Sequence, residues 1–64
     1  MEFTIYNNKD NFNKIQQLDE FLNMYNIAVF KEIKPNMLYI VYSIYNSDDN
    51  LNSIIYALLK QLRI

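Results

Sequence analysis

The chain has 64 residues, 52% of them apolar, 16% aromatic and 20% charged, with a formal net charge of −1. This is the composition of a folded chain rather than a disordered one, and it gives one domain, residues 1–64, with no room for a second. The near-neutral charge leaves no electrostatic footprint for DNA, RNA or an anionic membrane, and the lack of Cys and His removes disulfides and the commonest transition-metal ligands.

FTIYN, Phe3 to Asn7, alternates with Phe3 and Ile5 on one side and Glu2, Thr4 and Tyr6 on the other. Period two over a short run predicts a half-buried strand. The polar run Asn7-Asn8-Lys9-Asp10 predicts a turn, with Asn8 or Asp10 able to cap a following helix. From Asp10 to about Tyr25 the period changes. Phe12, Ile15, Leu18, Leu22 and Tyr25, with Phe21 alongside, recur at spacings of three and four. That is an amphipathic helix, and Asn26 is a suitable left-handed stop in a chain without glycine.

Ile27 to Asn46 is rich in β-branched and aromatic residues and is interrupted once, at Pro35-Asn36, which predicts a hairpin. Pairing across a two-residue turn sets Ile33 beside Leu38, Lys31 beside Ile40, Val29 beside Tyr42 and Ile27 beside Ile44. Ser47 or Asp48 then caps a last helix whose apolar face is Leu51, Ile54, Ile55, Leu58 and Leu62, widened by Leu59. Asp48 and Asp49 suit its positive end, and Lys60 and Arg63 its negative end.

The order βαββα, with a right-handed first crossover, predicts an α+β two-layer sandwich. Its three-stranded antiparallel sheet has strand order 1-3-2, and both helices lie on one face. The most hydrophobic strand, Met37 to Tyr45, is then central, with Leu38, Ile40, Tyr42 and Ile44 facing the helices. Phe12, Phe21 and Tyr25 are expected to join Tyr42 in the core. Lys31 falls inward on an edge strand, where a charge discourages edge-to-edge association.

The opposite face of the sheet has nothing to cover it. Tyr6, Phe30, Met37, Tyr39, Val41 and Tyr45 form the candidate interaction surface, since a contiguous exposed apolar patch commonly marks a contact site. A domain this small buries only about 60% of its unfolded surface. Self-association is therefore expected, two copies covering each other's sheets or pairing the edges of their first strands. A larger protein target is the companion expectation, because aromatic patches and open strand edges are what such targets engage.

The alternative is a module that stacks single-stranded RNA or DNA bases on the open-face aromatics. Glu2 and Glu32 lie on that face against Lys34 alone, which disfavours phosphate contacts. Catalysis is not expected: no nucleophile motif or phosphate loop is present, and the adjacent acidic pairs Asp19-Glu20 and Asp48-Asp49 do not converge on a helix. No catalytic, cofactor-binding or metal-ligating residues are assigned, although Asp10, Asp48 and Asp49 are the carboxylates nearest to a hard-cation set.

MEFTIYNNKD lacks the features of a signal peptide, and no apolar run reaches the roughly 20 residues of a membrane span. The sequence-level expectation is a cytoplasmic, non-enzymatic homodimer that acts as an inhibitor or adaptor of a larger protein. Abundant Asn, Ile, Tyr and Lys, with no Gly, fit an AT-rich bacterial, phage or plasmid genome.

Overall fold

The computed structural model describes residues 1–34, 36 and 38–64. Its elements are β1 (Glu2–Tyr6), a 3-10 turn (Lys9–Asn11), α1 (Phe12–Met24), β2 (Ala28–Lys34), β3 (Tyr39–Tyr45) and α2 (Asp49–Leu62). The three strands form an antiparallel sheet in the order β1-β3-β2, with the most hydrophobic strand central as expected.

Local chemistry accounts for most element ends. The Asn8 carboxamide oxygen accepts the Asn11 N–H at 3.1 Å, opening the 3-10 turn. The Asp48 Oδ1 accepts the N–H groups of Asn50 and Leu51 at 2.9 and 3.2 Å, satisfying two free donors of α2. At the end of α1, Asn26 turns left-handed with φ 52°. The Ile27 N–H then reaches the Leu22 carbonyl at 3.0 Å and the Asn26 N–H reaches that of Asn23 at 3.2 Å. This is the Schellman closure, with buried Ile27 supplying its apolar contact. The same closure ends α2 at Arg63, φ 61°, a position that would normally take glycine.

The core consists of Ile5, Leu18, Leu22, Ile27, Ile40, Tyr42, Ile44, Ile55 and Leu59, with Met1, Phe3, Ile15, Phe21, Leu58 and Ile64 packed around it. Both helices contribute to this one cluster, so they share a face of the sheet. Phe3 stacks on its cross-strand partner Tyr42 with ring centroids 5.0 Å apart. Phe12 and Tyr25, expected inside, are exposed instead. They lie at the two ends of α1, beyond the stretch where Leu18 and Leu22 meet the sheet.

The hairpin register also differs from expectation. Ile33 pairs with Ile40, Lys31 with Tyr42 and Val29 with Ile44, a slide of two residues. Two-residue hairpin loops need a positive φ at their first residue, and proline cannot supply it. β2 ends at Lys34 and β3 begins at Tyr39, with Asn36 between them left-handed at φ 52°. An even slide keeps every side chain on its expected face. Its cost falls on Leu38, which was expected in the core. Leu38 lies in the connection and is 60% exposed.

A candidate interaction surface

Strand alternation and register set out the open face row by row. Tyr6, Tyr39 and Lys34 lie side by side, followed by Thr4, Val41 and Glu32, then Glu2, Ser43 and Phe30, and finally Tyr45 beside Ala28. Tyr6 and Tyr45 are each 69% exposed and Phe30 is 57% exposed, while Tyr39 and Val41 are half-buried between neighbouring strands. Tyr6, Tyr39 and Val41 thus form one cluster. Phe30 and Tyr45 form another, and Tyr45 lies six strand steps along β3 from Tyr39, roughly 20 Å at strand rise. Met37 lies outside the described residues.

Polar pairs divide the two clusters. The Lys34 Nζ and Glu32 Oε1 are 2.9 Å apart, and the Ser43 hydroxyl donates to Glu2 at 3.3 Å. The hydrogen bond to Glu32, reinforced by its charge, holds the Lys34 ammonium above its ordinary pKa. Among the described residues, the open face's one cation is already committed to a carboxylate.

A second exposed surface escaped sequence reasoning. All seven residues of β2 are exposed, including those on the helix side, and none belongs to the core cluster. Ile33 is 52% exposed although its partner Ile40 is 4% exposed. The cause is the narrowness of the helical contact. Each helix buries two residues, Leu18 and Leu22 from α1 and Ile55 and Leu59 from α2, and these meet side chains of β1 and β3. An open groove of about 440 Å³ consequently separates α1 from β2, with Leu22, Ile27 and Val29 among its walls. The sequence signal available was the charge of β2, in which Lys31, Glu32 and Lys34 take three of seven positions.

Lys31 bridges that groove. Its Nζ lies 2.9 Å from the Asp19 Oδ2 and 5.3 Å from the centre of the Tyr42 ring. The buried Tyr42 hydroxyl donates to the Asp19 Oδ1 at 2.8 Å. Burial first, and then the bond to the Asp19 carboxylate, raise the Tyr42 pKa well above 10.0. Asp19 thus anchors a core phenol and an edge-strand lysine with one side chain. This is a structural network, since both oxygens of the carboxylate are occupied by groups of the protein itself.

Backbone phase separates the two sheet edges. Met1 and Ile44 exchange hydrogen bonds of 3.1 and 2.7 Å, and the Asn7 N–H donates to the Leu38 carbonyl at 2.9 Å. Even-numbered residues of β3 therefore aim their backbone groups at β1, and odd-numbered ones aim theirs at β2. By the register, Ala28, Phe30, Glu32 and Lys34 turn theirs inward. Val29, Lys31 and Ile33 present N–H and C=O to the free edge. On β1 the outward residues are Glu2, Thr4 and Tyr6, and the Asn11 side chain already donates to the Tyr6 carbonyl at 2.9 Å.

Among the described residues, no three metal-ligating side chains cluster, so Asp10 does not join Asp48 and Asp49. No described helix is long and apolar enough to cross a membrane. Comparison with protein-family models, with curated proteins and with solved structures finds no match.

Proposed function

We propose that the protein is a small non-enzymatic interaction module. It works in the cytoplasm as a homodimer and binds a larger protein as an inhibitor or adaptor, in the manner of phage or mobile-element accessory proteins. The observation that carries this reading is the uncovered sheet face, on which Tyr6 and Tyr39 sit side by side and Phe30 and Tyr45 stand out into solvent. Tyrosine and phenylalanine supply contact area at low cost in conformational entropy, and clusters of them commonly anchor protein interfaces. The ion pair between Lys34 and Glu32 argues against nucleic acid, because phosphate binding needs uncommitted cations on the same face.

The test is affinity capture from a nuclease-treated lysate of the source organism, comparing the wild type with Tyr39→Ala and Phe30→Ala. Capture of a defined protein by the wild type, lost in both variants, is the expected result. Equal capture by all three would exclude this face. Capture seen only from a parallel untreated lysate would instead support the single-stranded nucleic-acid reading.

A further inference from the structure

We propose that β2 is the homodimer edge: the β2 strands of two copies pair antiparallel about a two-fold axis at Lys31, joining their sheets into one. This deepens the dimeric half of the function proposed above; of the open face it uses only the β2 residues Phe30, Glu32 and Lys34, and not Tyr6, Tyr39 or Tyr45. β2 is the longer edge strand, and it is exposed on both faces as well as along its free backbone. The three outward residues, Val29, Lys31 and Ile33, are spaced so that the strand can pair with itself over its full length. Val29 then exchanges both backbone bonds with Ile33 of the second copy, and Lys31 exchanges both with its own counterpart.

Side chains agree with this register on both faces. On the helix side, exposed Val29 and exposed Ile33 meet across the new ladder, each covering apolar surface that neither helix reaches. On the other side, Phe30 lies against Glu32 of the second copy, with Lys34 of that copy on the diagonal. These two side chains lie as an exposed ion pair at 2.9 Å, with their aliphatic stems beside the ring position.

Lys31 is the residue that should forbid such pairing, because an inward-pointing lysine is a common guard of edge strands. Here the guard is disarmed. Its ammonium is drawn back over the Tyr42 ring onto Asp19, leaving the backbone edge clear. At the two-fold axis each lysine arrives with its own carboxylate, and a net charge of −1 per chain sets up no general repulsion between copies. The β1 edge is the poorer choice. It is five residues long, and its outward Tyr6 carbonyl is occupied by Asn11.

Sedimentation velocity and amide hydrogen exchange on the wild-type chain test the proposal together. The expected result is a dimer in which the Val29, Lys31 and Ile33 amides are protected in proportion to dimer population. A dimer whose three amides exchange freely would overturn the β2 edge while leaving the dimeric reading intact. A monomer at millimolar concentration would overturn both. Ile33→Pro supplies the second arm, since its missing N–H is one that β3 does not use. It should sediment as a monomer with wild-type circular dichroism, and a folded Ile33→Pro dimer would refute the edge. Tyr39→Ala should remain dimeric, because Tyr39 lies on β3, away from the new ladder.

Discussion

β2 and β3 are neighbouring strands of equal length, with four and six apolar residues of seven respectively, and the core takes only one of them. β3 buries Ile40, Tyr42 and Ile44, whereas every residue of β2 is exposed. The contrast is sharpest at Ile33 and Ile40, the same residue type, paired across the ladder on the same face, 52% and 4% exposed respectively. Alternation therefore reports which face a side chain takes. Whether anything covers that face depends on how far the second layer reaches. The largest effect that can test this difference is truncation at the two isoleucines. Ile40→Ala should cost about 2–5 kcal/mol in denaturant-induced unfolding, because it leaves a cavity in the core. Ile33→Ala should cost about 1 kcal/mol or less in a monomer, since half of the side chain is already in water. Equal losses would mean that the helices do cover β2.

Much of the fold was legible in the sequence, whereas the contrast between β2 and β3 was hidden for physical reasons. The change from period two to period three-to-four marked the elements. The stop at Asn26 and the cap at Asp48 followed from side-chain chemistry alone. Strand order followed from placing the most hydrophobic strand at the centre, between β1 and β2. The register was missed by two residues because tight pairing was assumed across a loop that begins with proline, and Leu38 left the core as a consequence. Phe12 and Tyr25 satisfy the helical period but lie past the part of α1 that meets the sheet, and periodicity carries no information about where a contact ends. The open-face residues Tyr6, Phe30, Tyr39, Val41 and Tyr45 fell on one side as expected, because an even slide preserves faces. Their division into two clusters needed the true register, which places Glu2, Ser43 and Glu32 between them.

The next test probes the side chain that ties the covered strand to its helix. Tyr42→Phe removes the hydroxyl that donates to Asp19 and should destabilise the fold by about 1–2 kcal/mol near neutral pH. A pH profile separates this bond from simple packing. The folded state holds the Tyr42 proton more tightly than the unfolded state, where the phenol titrates near 10.0. The stabilisation is fully present below that value. Above it, the unfolded chain releases the proton first, and wild-type stability falls with rising pH by up to about 1.4 kcal/mol per unit. Phe at this position lacks that titration, so the wild-type and variant profiles should converge as pH rises above 10. Parallel profiles would show that the hydroxyl has the same proton affinity in both states.

The smallest effect is expected where the uncovered strand meets the same carboxylate. Lys31→Met keeps the aliphatic stem over Tyr42 and deletes only the charge. The Lys31–Asp19 pair is short at 2.9 Å, but its side chains are 37% and 38% exposed, so water and salt screen most of the attraction. Asp19 keeps the Tyr42 hydroxyl as a donor and hydrates its free oxygen. The monomer should therefore lose no more than about 1 kcal/mol, with less difference at high salt. A double-mutant cycle with Asp19→Asn isolates the pair from the second role of Asp19. A coupling energy above about 2 kcal/mol would place the bridge in a drier setting than an exposed edge permits. β2 would then be packed against α1 more closely than its exposure indicates, and its difference from β3 would narrow accordingly.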